Sequence, residues 1–104
     1  MGQMEKGTLT GLEDICSQAI RMGDIVDMFG TAFEVVYERG AFGLVRQDGE
    51  MLDWERICDG AYQLSGAYPD FCHNDHFVSL WELAWNFNCE EDRLYMLKRL
   101  GDAE

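Results

Sequence analysis

The sequence predicts a small α+β domain, with antiparallel β-structure in the N-terminal half and a C-terminal α-helix packed on it. Three observations predict this fold: an alternating segment at 32–38, a hairpin signal at Asp48-Gly49, and a helical charge pattern at 90–100. The chain has 104 residues, 47% of them hydrophobic, which suffices for one core.

Residues 1–104 are therefore predicted to form a single domain. Within it, we expect a β-structured core at about 9–57, a loop at 58–76, and an aromatic and helical segment at 77–101.

Three strands are predicted between residues 23 and 45. Gly23-Asp24 is a turn signal, and Ile25-Val26 after it begins the first strand. Apolar and acidic residues alternate in 32–38, so one face of that strand is predicted to be buried and the other to be exposed and acidic. Arg39-Gly40 ends this strand, and 41–45 forms the next one.

Asp48-Gly49 is typical of a two-residue hairpin turn, because type I′ turns need positive φ at both central residues. Such a hairpin pairs the strand at 41–45 with a partner strand at 51–54. Its register places Gly43 opposite Trp54, whose ring would shield the glycine.

Two patterns compete in 77–87. Apolar residues at odd positions fit a strand, whereas other apolar residues fit one face of a helix. Ser79 with Glu82 makes a possible capping box, which favours a helix at 80–86. The apolar stripe of that helix consists of Leu80, Leu83, Ala84 and Phe87.

The segment 90–100 has the charge pattern of a helix. Acidic residues stand at its start, Lys98 and Arg99 stand near its end, and Gly101 is a natural stop. We therefore predict a C-terminal α-helix over 90–100.

The chain is strongly acidic, with 20 Asp and Glu against 8 Lys and Arg and a net charge of −12. This charge disfavours direct binding to nucleic acid and to anionic membranes, because phosphates attract Lys and Arg. It favours a basic protein partner, although it also serves solubility alone. No apolar segment is long enough to span a membrane and no secretory signal is present, so we expect a cytoplasmic protein without a cofactor.

Four short segments of the first half stand out together. They are Thr10-Gly11-Leu12-Glu13-Asp14, Gly23-Asp24-Ile25-Val26, Phe33-Glu34-Val35-Val36-Tyr37 and Gly40-Ala41-Phe42-Gly43-Leu44. These segments resemble the YopX family of phage and prophage proteins over roughly residues 9–57. The resemblance implies an SH3-like antiparallel β-barrel and a phage or mobile-element source, and it brings no catalytic residues. The family's usual final strand has no match near 77–88.

Cys72 and His76 are four residues apart, a spacing that occurs in zinc sites, and Cys58 and Cys89 are candidates to complete the set. No second closely spaced ligand pair supports a metal, and a plain loop is the simpler interpretation. A Cys–His nucleophile is the catalytic alternative, but no third, orienting group is identifiable. The four cysteines contain no CxxC pair and are expected to be free thiols. We predict neither a metal site nor an enzyme.

Two sets of residues are candidates for contact with a protein partner. The first is an acidic face, which can imitate the phosphate row of a nucleic acid. The second is an aromatic pair, which packs in the core by default and anchors an interface if it is exposed. The acidic set is Asp24, Asp27, Glu34, Glu38, Asp48, Glu50, Asp53 and Glu55, and the aromatic set is Trp81 and Trp85.

Together these features predict a phage- or mobile-element-derived protein that binds and inhibits a basic host defence protein. A CRISPR effector is the most concrete target, blocked by nucleic-acid mimicry or sterically, as anti-CRISPR proteins do. The first alternative is a structural or regulatory phage protein that acts as a homo-oligomer, in its simplest form a homodimer. The second alternative is a small zinc-binding module.

Overall fold

Seven strands and two helices are present in the residues that the computed structural model describes, which are 5–38, 40–71, 74–87, 89 and 92–102. In chain order they are β1 Leu9–Glu13, β2 Ala19–Arg21, β3 Asp24–Met28, β4 Thr31–Glu38, β5 Ala41–Arg46, α1 Trp54–Ser65, β6 Val78–Ser79, α2 Leu80–Asn86 and β7 Leu97–Asp102.

The main sheet has five strands in the order β6-β5-β4-β3-β7, and each neighbouring pair is antiparallel. β1 and β2 form a second, two-stranded antiparallel sheet. The chain after β1 reaches the outer edge of β7, where the Ile15 N–H donates to the Leu97 carbonyl at 2.9 Å. The predicted small α+β domain is thus confirmed, whereas the described strands do not close into a barrel.

The predicted strands at 25–26, 32–38 and 41–45 are confirmed as parts of β3, β4 and β5. In β4, Phe33 and Val35 are buried and Glu38 is exposed, as the alternation predicts. A two-residue turn at Phe29-Gly30 joins β3 to β4, and both of its residues have positive φ, 54° and 85°. The bulky Phe29 is held in this conformation by stacking on Phe87, with ring centroids 6.0 Å apart.

The predicted hairpin at Asp48-Gly49 is wrong. The turn after β5 is closed locally, because the Arg46 guanidinium forms a salt bridge with the Asp48 carboxylate at 2.7 Å. Residues 51–53 are not in a strand, and Trp54 begins helix α1. The chain therefore does not fold back along β5 after this turn, and β5 pairs instead with β6 on that side.

The second neighbour of β5 is the short strand β6, with Gly43 opposite Ser79. An aromatic ring does lie over Gly43, but it belongs to Phe77 and not to Trp54. A Cβ atom at position 43 would collide with this ring and with the Val78 carbonyl. The glycine therefore permits the close approach of β6.

The predicted loop at 58–76 is wrong in its first part, where α1 continues to Ser65. Asp53 caps the helix, since its carboxylate accepts the Arg56 N–H at 3.1 Å. Gly66 ends it in the left-handed conformation, with φ of 76°. Ile57 and Ala61, one turn apart, are buried.

The helix alternative for 80–86 is confirmed, because α2 covers these residues. Ser79 caps α2 by accepting the Trp81 N–H at 3.2 Å. Leu80 and Leu83 are fully buried on its inner face. Neither described helix has the length and apolar character needed to cross a membrane.

The predicted C-terminal helix at 90–100 is wrong, since 97–102 forms β7 and pairs with β3. Its long-range partners outweigh the local charge pattern: the Arg99 N–H donates to the Asp14 carboxylate, and the Arg99 guanidinium donates to Asp24, both at 2.8 Å. Residues 90 and 91, which contribute to that pattern, lie outside the described residues.

The core lies between the inner face of the main sheet and the two helices. Fully buried aliphatic side chains from the strands meet those of the helices there. The residues with 1% exposure or less include Val26, Val35, Leu44, Val78, Leu80, Leu83, Leu94 and Leu97.

Candidate functional site

Asp24 does not belong to an exposed acidic face, because the residue is only 1% exposed. Its carboxylate accepts the Arg21 N–H at 2.8 Å and the Arg99 Nε–H at 2.8 Å. A carboxylate buried in an ion pair holds the fold and is not available to a partner. Inclusion of Asp24 among the partner-binding residues is therefore wrong.

Asp14 is a second buried carboxylate, and sequence reasoning does not single it out among twenty acidic residues. Its Oδ1 accepts the N–H groups of Cys16 and Gln18 at 2.9 and 2.8 Å. Its Oδ2 accepts the Arg99 N–H at 2.8 Å. Asp14 and Asp24 thus tie β7 to the rest of the domain.

Asp48, Glu50 and Asp53 form an exposed group after β5, which we call the acidic loop. Asp48 binds Arg46 through both carboxylate oxygens, at 3.1 and 2.7 Å. This hydrogen bonding from Arg46 holds the pKa of Asp48 below its usual value. Glu50 and Asp53 add to the negative field that raises the pKa of Arg46. Glu55 is also exposed, in the first turn of α1.

Asp27, Glu34 and Glu38 lie on the outer side of the main sheet. Glu34 is half-buried in the centre of the sheet, and Asp27 pairs across to Lys98 of β7. Glu38 lines a hollow of about 410 Å³ at the far end of β4, beside Asp75 and His76. The eight predicted acidic residues are therefore brought together only in part, in separate groups.

Trp81 and Trp85 are exposed, so core packing, the default interpretation, is wrong for both. Their exposed fractions are 51% and 83%. They stand one turn apart on α2, on the side opposite the buried Leu80 and Leu83. The sequence already indicates this exposure, because both tryptophans lie outside the apolar stripe of the predicted helix.

Sequence reasoning missed two further exposed aromatic residues. Tyr62 of α1 and Tyr68 are 48% and 88% exposed, and their ring centroids are 5.0 Å apart. The Asp70 N–H donates to the Asn86 side chain, which anchors the chain near Tyr68 to the end of α2. We call Tyr62, Tyr68, Trp81 and Trp85 the aromatic surface.

The stretch of sequence that carries the aromatic surface is acidic. Residues 57–92 contain seven acidic residues and neither Lys nor Arg. The acidic residues are Asp59, Asp70, Asp75, Glu82, Glu90, Glu91 and Asp92. Basic groups of a partner would meet both negative charge and the electron-rich faces of aromatic rings here.

The Cys–His hypothesis gains no support in the described part of the chain. No group of three His, Cys, Asp or Glu side chains there is placed to hold a metal, and Cys72 and His73 lie outside the described residues. Burial raises the pKa of the Cys58 thiol, and nearby Asp59 adds to this. Burial also raises the pKa of Cys89, although a backbone N–H from Tyr95 opposes it.

Alkylation should distinguish these cysteines. A raised thiol pKa leaves less thiolate at neutral pH, so iodoacetamide should modify Cys58 and Cys89 more slowly than the exposed Cys16. Peptide mapping by mass spectrometry at several times gives the individual rates. Unfolding in urea should make the three rates similar, and Cys58 reacting as fast as Cys16 in the native protein would contradict the expectation.

The aromatic surface and the acidic loop are the two regions where the described residues offer a partner unusual chemistry. The first presents large aromatic rings to solvent, and the second presents carboxylates beside Arg46 and Arg56. Comparisons with family models, with curated proteins and with solved structures give no match to this chain.

Proposed function

We propose that this protein is a non-catalytic interaction module of phage or mobile-element origin that binds and inhibits a basic host protein. The observation that carries the proposal is the exposure of Trp85, 83%, beside Trp81 on the same helix. Tryptophan is costly to leave in water and is enriched among residues that dominate binding energy. The resemblance of the first half to YopX proteins supports the phage origin, and an open, SH3-like arrangement of the strands is part of the same proposal.

The partner's basic character follows from charge. The net charge of −12 attracts a positively charged surface, and the aromatic surface lies in a stretch without Lys or Arg. Lysine and arginine side chains of the partner would stack on the exposed rings, an interaction strengthened when the rings are partly desolvated. Proteins that bind nucleic acid carry such basic surfaces.

The proposed inhibition is competition for a nucleic-acid groove, in a host defence complex such as a CRISPR effector. Exposed carboxylates of the acidic loop occupy positions that phosphates would take, and the aromatic surface supplies the affinity. No chemical step is required, so a stoichiometric complex is enough. The proposed place of action is the cytoplasm of the host cell.

The test is the affinity of tryptophan variants for the partner, identified by capture from host lysate and then purified. Trp85→Ala should weaken binding at least about 30-fold, because such anchors contribute about 2 kcal/mol or more. Biolayer interferometry measures the affinity. Tyr95→Ala, which removes another exposed ring on a different part of the chain, is the matched control and should leave the affinity unchanged within about twofold.

Charge-neutral variants and added salt test the electrostatic contribution to partner binding. Raising the salt concentration, or replacing Glu34, Glu38, Asp53 and Glu55 by Gln or Asn, should slow association and leave dissociation nearly unchanged. Equal affinity of the Trp85→Ala and parent proteins would refute the aromatic contact. An unchanged association rate in the neutral variant would refute the electrostatic contribution.

A homo-oligomer is the second candidate, favoured by the position of Trp81 and Trp85 on one helix face. Two copies could bury these rings against each other across a twofold axis. Size-exclusion chromatography with light scattering separates the candidates. A dimer that persists at high salt and is lost in Trp85→Ala supports the oligomer.

A further inference from the structure

An aspartate is followed directly by a glycine at two places in the sequence, Asp48-Gly49 and Asp59-Gly60. Such a pair is open to a rearrangement, in which the backbone nitrogen of the glycine attacks the side-chain carboxyl carbon of the aspartate. Glycine favours this attack because it has no Cβ atom to hinder the approach of its own backbone. The structure places the two pairs in different surroundings, so we expect them to react differently.

The Asp59-Gly60 pair is held inside helix α1, which covers Trp54–Ser65. Gly60 lies directly against the Phe29 ring, and a Cβ atom at position 60 would collide with that ring. The helical hydrogen bonds and this ring fix the peptide between Asp59 and Gly60, so its nitrogen turns toward the Asp59 carboxyl carbon only if the helix opens. The folded protein should therefore not react at Asp59.

The Asp48-Gly49 pair lies in the turn after β5, where the backbone has room to move. Both residues are exposed, and a Cβ atom at position 49 would meet no atom of the described chain within 4 Å. Gly49 has a φ of 78°, and glycine exchanges between positive and negative φ at little cost. This turn therefore has the space and the backbone freedom that the attack on the Asp48 carboxyl carbon requires.

Arg46 restrains the reacting carboxylate of this pair. Its guanidinium donates to both carboxylate oxygens of Asp48, at 3.1 and 2.7 Å, and the Glu50 N–H donates to one of them at 2.9 Å. The hydrogen bonding from Arg46 lowers the pKa of Asp48, so the carboxyl group stays ionised. Ring closure expels a carboxyl oxygen as water, which leaves far more readily from the protonated acid than from the carboxylate. Arg46 should therefore slow the reaction.

We propose that Asp48-Gly49 is a site of isoaspartate formation in the folded protein and that the Arg46 side chain slows this modification. The Gly49 nitrogen forms a bond to Cγ of Asp48, and the proton of that nitrogen leaves with a carboxyl oxygen as water. Water then adds to the main-chain carbonyl carbon of Asp48, and the bond from that carbon to the Gly49 nitrogen breaks. The product has the same mass as the parent, and its main chain runs through the former side chain. Its free carboxylate is attached directly to Cα and loses its present contacts with Arg46 and the Glu50 N–H.

The test is incubation of the full chain at neutral pH and physiological temperature, followed by peptide mapping at several times. Electron-transfer fragmentation distinguishes aspartate from isoaspartate, which have equal mass, and gives the amount at each position. Isoaspartate should accumulate at position 48 and not at position 59. Arg46→Ala should raise the rate at position 48 about threefold, the size expected for loss of an exposed ion pair. Arg56→Ala removes another arginine beside the acidic loop and is the matched control, with an unchanged rate.

The rate at position 59 reports whether a variant remains folded, because that position reacts only when α1 opens. If this rate rises in Arg46→Ala, Arg46→Lys is used instead, and its rate at position 48 should lie between those of the parent and Arg46→Ala. In urea the ion pair is absent, so the parent and the Arg46 variants should react equally fast at position 48. Three results overturn the proposal: no isoaspartate at position 48, equal amounts at positions 48 and 59 in the folded parent, or equal native rates in the parent and the folded Arg46 variant. No partner is needed, so the result is independent of the proposed function.

Discussion

Replacing Asp14 by alanine should destabilise the protein by about 4 kcal/mol, because three backbone N–H groups lose their common acceptor. Asp14 is 1% exposed, so water does not replace the lost bonds freely. Hydrogen bonds to a charged group contribute about 1.5–3 kcal/mol each, and bonds to one carboxylate are not additive. Small domains have only about 5–15 kcal/mol of stability, so this variant should be close to unfolding.

Asparagine at position 14 separates the roles of the two carboxylate oxygens. Its carbonyl can still accept from Cys16 and Gln18, which both bind Oδ1, but its NH₂ group then faces the Arg99 N–H. Asp14→Asn should therefore cost about 2 kcal/mol, mostly by weakening the attachment of β7. Urea unfolding followed by circular dichroism measures both variants.

The matched control for Asp14 is Asp59→Ala, which removes an exposed acidic residue of α1. It should change the free energy of unfolding by less than about 0.5 kcal/mol. An Asp14→Ala protein as stable as this control would show that the carboxylate does not hold β7.

Gly43→Ala should destabilise the protein by about 3 kcal/mol, although it adds a single methyl group. That methyl meets the Phe77 ring and the Val78 carbonyl, and the carbonyl belongs to the backbone of β6 and cannot rotate away. Strand β6 must then separate from β5, and α2 with Trp81 and Trp85 must move with it. The variant should therefore also lose affinity for the partner.

Two further variants make the Gly43 prediction specific. Gly49→Ala adds a methyl with no atom within 4 Å, and at its φ of 78° it should cost only about 1–2 kcal/mol. Phe77→Ala in the Gly43→Ala background should recover only part of the loss, because the Val78 carbonyl remains. Calorimetric unfolding gives the comparison. Gly43→Ala and Gly49→Ala with the same stability would contradict the close approach of β6.

The strands β3, β4 and β5 and the helix α2 are predictable because local pattern and final structure agree there. Period-two alternation describes β4, and an apolar stripe with Ser79 as cap describes α2. The exposure of Trp85 follows from that same stripe. These features depend on residues within one element, which a sequence displays directly.

Other features depend on partners that are distant in the chain, or on local contacts that a stronger sequence pattern conceals. Lys98 and Arg99 have the charge expected at the end of a helix, yet Arg99 is used by two buried carboxylates near the N-terminus. Asp48-Gly49 has the sequence of a hairpin turn, but the turn is held by contacts among residues 46–50, and no strand follows it at 51–53. Asp53 marks the start of α1 and Gly66 marks its end. The hairpin interpretation places Asp53 in a strand and therefore misses it as a helix cap.

The candidate surface is predictable in kind but not in place. Net charge and the tryptophans predict a protein partner. They do not reveal that Asp24 is buried whereas Asp53 and Glu55 are exposed. Tyr62 and Tyr68 contact each other, one from a helix and the other from the chain that follows it. Such contacts are set by tertiary packing and leave no periodic trace.

The attachment of β7 also governs how the chain matures during synthesis. Arg99 follows Asp14 by 85 residues and Asp24 by 75, so neither carboxylate has its Arg99 contact until nearly the whole described chain has been translated. A nascent chain that has just completed β5 has a β3 edge without β7, and its two buried carboxylates have only their local amide partners. The five-stranded sheet is thus complete only when β7 is available, and we expect products truncated before Arg99 to be more sensitive to proteases.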